Sequence, residues 1–381
     1  MRPAPPPSQG PGQRRVLTRR VTAALIVRDE ARHLEGCLAS LASCVDEIVV
    51  ADTGSIDASR DIARAAGARV VDHPWAGDFA AARNAALDAA TGDWILYIDA
   101  DERVAMWDRA RLDPLLVDET VLGCTVQFRP QTGYTRYREY RLFRRQPDVR
   151  FRGVIHESFL PDLNAALARE RGRIADSDVA LVHLGYDGDL AAKHRRNRPL
   201  LEARLEAEPD HVYSRDHLGV TLLALGDAAG AEVAFRRAAL YAAGRARHEP
   251  GDALPFVHLA SLLLDRDRDA RDVIDAGRSR FPDDHALAWL DARACLEAGD
   301  AARALPIFAA LAEVDASTLC MTRAYDVSIF GANAHAAAAL CLFRLGRYGE
   351  CAERYRRAEA LAPNDDEFRL KRQLAEARAR Q

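Results

Sequence analysis

The sequence predicts an α/β domain with a mixed, mainly parallel sheet, followed by an all-α array of helical repeats. Two patterns predict it. Between residues 20 and 113, apolar runs of strand length alternate with segments of helical periodicity, the mark of βαβ units. From Lys193 onward nearly every segment reads as helix, and three of them share identical internal offsets. A third observation locates the chemistry. The apolar run 94–98 ends in Asp99-Ala100-Asp101, followed by Glu102. Carboxylates that close repel one another unless a cation lies between them. Mg²⁺ or Mn²⁺ suits such a set, since both take carboxylate and water ligands and bridge phosphate oxygens. Open α/β sheets bind ligands at these carboxyl strand ends.

Residues 1–19 are rich in Pro and Arg and are expected to form a disordered tail. The α/β domain is expected over 20–198 and the repeats over 199–381. Residues 22–27 form the first apolar run. Residues 29–43 read as a helix with Leu34, Leu38 and Leu41 on one face. Residues 47–51 give a second strand. Ser55 or Asp57 caps a helix that runs to Ala66 and stops at Gly67. A short strand at 68–71, a helix at 79–90 and a strand at 94–98 complete this half. After Asp113-Pro114 the pattern changes. Residues 121–129 and 138–144 read as strands, and the runs 151–157 and 179–183 follow, so this half is expected to be α+β with mixed or antiparallel strands.

Beyond that point Ala231 and Phe235 lie five and nine residues after Gly226; Ala304 and Phe308 follow Gly299, and Cys351 and Tyr355 follow Gly346, at the same offsets. Ala270 and Ile274 repeat them from Asp265, a degenerate copy, and Asp265 to Gly299 is 34 residues. That period, with its A-x3-F and Pro pattern, matches the tetratricopeptide repeat. Inserted loops are expected near 244–251 and 318–331. Four imperfect helix pairs would stack into a curved array, because none buries its apolar face alone. An irregular helical bundle is the other reading.

The 381 residues suggest two or three domains, and the net charge of -4 argues against general nucleic-acid affinity. The seven cysteines show no CxxC pair and read as reduced, mostly buried thiols. No apolar stretch reaches the length of a membrane span, and the N-terminus lacks a signal-peptide core. A cytoplasmic location is expected, with peripheral contact at the inner face of the membrane left open.

Polar clusters follow three of the strands: Arg28-Asp29-Glu30, Asp52-Thr53-Gly54-Ser55 with Asp57, and Asp99 with Asp101. Neither GxGxxG nor GxxxxGK[ST] is present, so a dinucleotide site and a P-loop are both disfavoured. Acidic strand ends instead suit a nucleotide whose base and ribose are read by carboxylates while a metal handles the phosphates.

Residues 22–30, 49–57, 79–84 and 99–102 together resemble the family 2 glycosyltransferases of the GT-A fold. His156-Glu157, His183-Leu184-Gly185-Tyr186 and Lys193-His194-Arg195-Arg196-Asn197 resemble a subgroup of that family. It contains lipopolysaccharide-core β-glucosyltransferases and bacteriocin-peptide glycosyltransferases with a tetratricopeptide tail. The resemblance implies that Glu30 and Asp52 hold the base and ribose of a nucleotide sugar, and that Arg83 lines the donor pocket. It places Asp99 near the ribose and metal and makes Asp101 the direct metal ligand. It offers His183 as a third ligand, with a structural histidine as the alternative, and His156 less so. The first strand ends in Asp29-Glu30 where the family more often has Asn-Glu. Glu157, read as following a strand, fits the family's acidic position for the base of an inverting reaction; a turn cap or a pair with Arg152 is the alternative. Arg141, in an Arg-Leu-Phe pattern, is the candidate donor contact within a stretch of interleaved Arg and Tyr. That stretch could also be the solvated face of a hairpin. Lys193, Arg195 and Arg196 are expected on the polar face of a helix, with the diphosphate as the alternative.

The leading expectation is a metal-dependent inverting transferase using a nucleotide sugar, UDP-linked by preference, and a glycan, lipid-linked or peptide acceptor. The repeats favour a protein partner or self-association. A catalytically silent scaffold is the second reading. A nucleotidyltransferase is the third, disfavoured by the lack of a Gly- and Arg/Lys-rich triphosphate loop.

Overall fold

The computed structural model describes residues 18–130, 133–184, 190–249 and 251–381. Residues 1–17 of the expected tail, and Tyr186 of the subgroup pattern, lie outside the described residues. The first half alternates strand and helix: β1 Val21–Val27, α1 Ala31–Leu41, β2 Glu47–Asp52, α2 Ser59–Ala65, β3 Arg69–Asp72, α3 Phe79–Ala89 and β4 Trp94–Tyr97. β2, β1 and β4 are almost continuously apolar because helices cover both faces of the sheet. Leu34, Leu38 and Leu41 of α1 pack on one face with Ala63 of α2. Ala80, Ala86 and Leu87 of α3 pack on the other.

The second half adds β5 Glu102–Met106, α4 Arg109–Val117, β6 Val121–Arg129, β7 Arg136–Arg144, α5 Leu160–Glu170 and β8 Arg173–His183. The sheet runs β3-β2-β1-β4-β7-β6-β8-β5. β3, β2, β1 and β4 are mutually parallel. β7 joins β4 antiparallel, and β6 pairs antiparallel with β7 but parallel with β8. The run 151–157 is not a strand. Gly153 and His156 both have positive φ (98° and 51°), which breaks the extended path, and only an isolated bridge joins Arg152 to Ser158. β5, α4 and α5 were not marked by the apolar pattern. β8 begins six residues before the run at 179–183, since its first half alternates buried and exposed residues at the surface.

Helices then continue to the end. α6 Leu190–Ala207 is followed by four pairs: α7 Val212–Ala224 with α8 Ala228–Gly244, α9 Leu254–Leu264 with α10 Arg271–Arg280, α11 His285–Glu297 with α12 Ala301–Ala312, and α13 Gly331–Arg344 with α14 Tyr348–Leu361. α15 Asp366–Ala379 closes the array. The expected boundary after residue 198 falls inside the continuous α6. Gly226, Gly299 and Gly346 take the left-handed conformation between the helices of their pairs. In the degenerate pair that role falls to Asp267, two residues beyond Asp265. Ala231, Phe235, Ala304, Phe308, Cys351 and Tyr355 are all buried where the paired helices meet.

The insertion between α12 and α13 reaches the sheet domain. It contains a short strand, β9 Cys320–Met321, that pairs in parallel with β7. Thr135 N donates to Tyr325 O at 2.9 Å, and Val327 N donates to Gly133 O at 2.8 Å. One described stretch, Val327–Arg344, is apolar and long enough to cross a membrane by composition alone. It comprises a 3-10 turn and α13, whose Ala334, Ala338, Ala339 and Leu342 are buried among α12 and α14. All seven cysteines are free thiols; Cys37, Cys124, Cys295, Cys341 and Cys351 are buried, Cys44 is half-buried and Cys320 is exposed.

Candidate donor and metal site

Parallel register brings the acidic strand ends to one edge. Val27 of β1 lies beside Asp52 of β2, and Ala24 lies beside Tyr97 of β4. Asp29-Glu30, Asp52 and Asp99-Ala100-Asp101 therefore emerge at the same mouth of the sheet. The first two loops are stitched together. Asp29 N donates to Ser55 Oγ at 3.1 Å, and Asp29 Oδ1 accepts from Ile56 N at 2.8 Å. Asp57 accepts from Ala31 N at 3.0 Å and from Ser59 N at 2.9 Å. Asp29 thus holds the loop in shape, with its own backbone at φ 54°. Asp57 serves both α1 and α2, whereas Ser55 serves Asp29 and not a helix cap.

Asp52 is 1% exposed. Its Oδ1 accepts from Gly54 N, Ser55 N and Arg60 Nε at 3.1, 3.1 and 2.7 Å. Burial alone would raise its carboxyl, but the bonds from Ser55, Arg60 and Gly54 hold it below the usual range. Its Oδ2 is buried with no hydrogen-bond partner among the described residues. A buried carboxylate oxygen without a donor is costly, and the imide N–H of a pyrimidine base would satisfy it.

Arg83, on α3, is the central cation. Its Nε donates to Glu157 Oε1 at 2.5 Å and its Nη2 to Asp99 Oδ1 at 2.9 Å. Its Nη1 is buried and has no hydrogen-bond partner among the described residues. Burial would raise the Asp99 carboxyl, but Arg83 and Arg141 outweigh it and hold it below the usual range. Arg152 pairs with Asp162 at 2.8 Å, so Glu157 and Arg152 do not form the pair considered from sequence. Glu157 sits in the irregular loop before α5, not at a strand end.

Asp101 Oδ2 lies 2.9 Å from His183 Nε2, where β8 ends beside the Asp101 turn. Burial lowers the imidazole's affinity for protons, but the bond to Asp101 reverses this and raises its pKa overall. Glu30 is pushed up to about 7 by burial, then by Asp101, Asp99 and Asp57. Glu30, Asp99 and Asp101 thus form one acidic cluster. Among the described residues no three His, Cys, Asp or Glu side chains converge as a ready ligand set. The Asp101–His183 pair presents one carboxylate and one imidazole at a single point, leaving further positions to phosphate oxygens and water. Carboxylate and water ligands suit Mn²⁺ or Mg²⁺.

Glu102 is the residue that the sequence pattern disguised. It is 1% exposed and takes a bidentate bond from Arg141, at 2.9 and 3.4 Å. Its Oε2 also accepts from Asp99 N at 2.9 Å, which braces the Asp99 turn from behind. Burial pushes the Glu102 carboxyl above the usual range while Arg141 opposes it. Arg141 is itself buried; it donates to Glu139 at 2.9 Å and lies over the rings of Tyr97 and Phe128 at 4.4 and 5.0 Å. Its Nη1 stays 3.9 Å from Asp99 Oδ2. Arg141 therefore braces the acids from within the sheet. Arg138 and Arg144, on the same strand, bond to Ser177 O at 3.0 Å and to Asp118 O at 3.0 Å.

α6 brings a second set of cations. Lys193 is pushed down to about 8 by burial and by Arg196, with Asp101 and Asp99 pulling the other way. Arg196 lies over the Phe79 ring at 5.6 Å and acts on Glu30. Lys193 is half-buried and feels Asp101 and Asp99, whereas Arg195 and Arg196 are exposed on the polar side of α6, Arg196 still within electrostatic reach of Glu30. His156 packs against His217 and Tyr213 of α7, with centroids at 4.4 and 4.8 Å, and stands apart from the Asp101–His183 pair.

This is an α/β domain whose acids, not a glycine loop, line the mouth of the sheet. Residues 22–170 match the family model described as glycosyl transferase family 2. They are a family 2 glycosyltransferase domain, with the mixed, mainly parallel sheet of the GT-A class, followed by helical repeats. A TPR repeat-containing protein of Synechococcus elongatus is 37% identical over 262 residues, covering 67% of this chain and 64% of the relative. The prophage-derived glycosyltransferase SunS of Bacillus subtilis is 28% identical over 50% of this chain and 46% of its own length. The lipopolysaccharide core biosynthesis glycosyltransferase LpsC of Rhizobium meliloti is 32% identical over 39% of this chain and 60% of its own. The chain thus spans about half to two thirds of these relatives. Among solved structures, glucosyl-3-phosphoglycerate synthase from Mycobacterium tuberculosis, in complex with Mn²⁺, UDP and glucosyl-3-phosphoglycerate, is 19% identical. It covers 49% of this chain and 79% of that one, with a TM-score of 0.36.

Proposed function

We propose that the chain is a metal-dependent, inverting glycosyltransferase that takes a nucleotide sugar, UDP-linked by preference, and passes the sugar to a glycan, lipid-linked or peptide acceptor. The observation that carries this reading is the meeting of Asp52, with its unpartnered buried oxygen, the Arg83–Asp99 pair and the Asp101–His183 pair at one mouth of the sheet. Asp52 Oδ2 would accept from the base, and Glu30 and Asp99 would hold the ribose. Asp101 and His183 would hold the divalent ion, Mn²⁺ or Mg²⁺, which supplies Lewis-acid stabilisation of the departing diphosphate.

The remaining roles fall to side chains. Lys193 and Arg196 stand on α6 within electrostatic reach of the acids, where a diphosphate would gain charge-assisted bonds. Arg83 fixes Glu157 and Asp99 relative to one another. Glu157 is the base that takes the acceptor's proton as the acceptor attacks the anomeric carbon.

The test is nucleoside diphosphate release from UDP-, GDP- and dTDP-sugars with Mn²⁺. Release is expected with one of them, is removed by EDTA, and falls at least ~100-fold in Asp101→Asn, the scale of losing a preorganised transition-state contact. Absence of turnover and of any thermal stabilisation by these donors would favour a silent scaffold. Release of pyrophosphate would indicate nucleotidyl transfer instead.

A further inference from the structure

We propose that α7, the first helix of the first repeat pair, supplies one wall of the acceptor subsite, and that the acceptor held there is an uncharged pyranoside. This rests on the donor-site reading above and adds the chemistry of the second substrate. Tyr213 stands in the first turn of α7 and is 40% exposed. Its ring centroid lies 4.8 Å from His156 at 88°, and 4.2 Å from His217 at 41°. The two imidazoles are themselves 4.4 Å apart. His156 immediately precedes Glu157, the proposed base.

Tyr137 lies on β7, the strand that carries Arg141, with its ring 5.5 Å from Phe128. Tyr97 lies beneath Arg83 and Arg141, at 4.9 and 4.4 Å. Tyr213, His156 and His217 therefore form a partly open aromatic wall beside the loop that holds Glu157.

The wall suits a sugar ring. A flat aromatic face packs against the C–H face of a pyranose, while a neutral imidazole offers one donor and one acceptor to hydroxyls. Burial keeps both histidines neutral: His217 is pushed down to about 4 and His156 falls well below its ordinary value. An extended peptide would need an open strand edge beside the wall. The nearest stretch, 133–137, is already taken: Arg136 and Tyr137 pair with β9, Thr135 N donates to Tyr325 O, and Gly133 O accepts from Val327 N.

The experiment uses the full chain, Mn²⁺ and the donor identified by hydrolysis. The acceptor probes are methyl β-glucoside, methyl β-galactoside and methyl α-mannoside, with Ser- and Cys-containing peptides in parallel. A methyl glycoside is expected to accelerate nucleotide release above hydrolysis and to yield a disaccharide. In Tyr213→Ala the KM for that glycoside rises ~10-fold or more with kcat changed less than ~3-fold, the pattern of a lost binding contact. Tyr213→Phe, which keeps the ring, restores KM. Thermal stabilisation by UDP and Mn²⁺ confirms that both variants are folded. An unchanged KM in Tyr213→Ala, or transfer to peptides alone, overturns the proposal while leaving the donor reading intact. A wild-type chain that no nucleotide sugar stabilises or loses its sugar to overturns both.

Discussion

Replacing Arg141 by Met tests whether the acids at the sheet mouth are braced from behind. The guanidinium and the Glu102 carboxylate are 7% and 2% exposed, and they meet in a bidentate bond. Removing the cation strands a carboxylate that, among the described residues, keeps the Asp99 amide as its one partner. Breaking one side of a buried ion pair costs about 3–5 kcal/mol. At about 2–4 °C per kcal/mol for a domain of this size, the melting temperature of the catalytic half should fall by about 6–20 °C. Urea unfolding followed by tryptophan emission reports on that half, since Trp75, Trp94 and Trp107 lie there and only Trp289 lies in the repeats. Adding Glu102→Gln removes the stranded charge but keeps an oxygen for Asp99 N, so the double variant should regain most of the loss. The sign with pH is also fixed. Burial holds the Glu102 pKa at about 8 even beside Arg141, and loss of the cation raises it further, so the folded variant binds the proton more tightly. The deficit of Arg141→Met should therefore be largest well above pH 8 and shrink as pH falls toward 8. A single-variant loss below ~1 kcal/mol, or a double variant less stable than the single, would refute the brace.

Three further outcomes follow from the same geometry. His217 has its folded pKa lowered to about 4, so the unfolded chain binds the extra proton below about pH 6.5. Stability is thus lost as pH drops from there toward 4, and His217→Phe should flatten the fall in melting temperature between pH 7 and 4.5, read by differential scanning fluorimetry. Gly219→Ala should cost about 1–3 kcal/mol by overpacking, since a Cβ there would meet the Phe235 ring at 2.5 Å; far-UV circular dichroism in urea measures it. Lys193→Met should weaken UDP–Mn²⁺ binding ~10-fold by titration calorimetry. Because Lys193 loses its charge above about pH 8, wild-type affinity should decline from pH 7 to 9 and approach that of the variant.

The parallel half was legible because its strands are buried on both faces and read as unbroken apolar runs, with Gly67 closing a helix where a left-handed residue was needed. The repeats were legible from fixed offsets, since the packed residues of each pair recur at the same distance from the turn. What escaped has physical causes. Residues 151–157 are as apolar as a strand, yet left-handed backbone at Gly153 and His156 folds them into a loop. Nothing in the local pattern marks Glu102 as buried; it pairs with Arg141, 39 residues away. Lys193 and Arg196 fall on a helix with no clear apolar face, and only the placement of α6 beside the sheet mouth brings Lys193 within electrostatic reach of Asp99 and Asp101, and Arg196 of Glu30. Such pairings join charges remote in sequence, which periodicity does not encode.

α6 also explains why the two halves cannot be assigned separate roles. Its second half carries Arg204, which is 8% exposed and donates from Nη1 to Ile155 O at 3.0 Å. The same guanidinium fills the space beside Gly153: a Cβ at that position would lie 1.4 Å from Nη1. Glycine is therefore required there twice, by its φ of 98° and by the close approach of Arg204. The loop so held contains His156 and Glu157, and Glu157 is tied through Arg83 to Asp99. A chain of contacts thus runs from the first repeat helices to the first acid of the DxD turn. The same helix sets Lys193 opposite that turn. The helical array was read from sequence as a surface for partners, but its entry helix is structurally part of the site. A displacement of α6 would alter the loop bearing the proposed base and the charge facing the acids together.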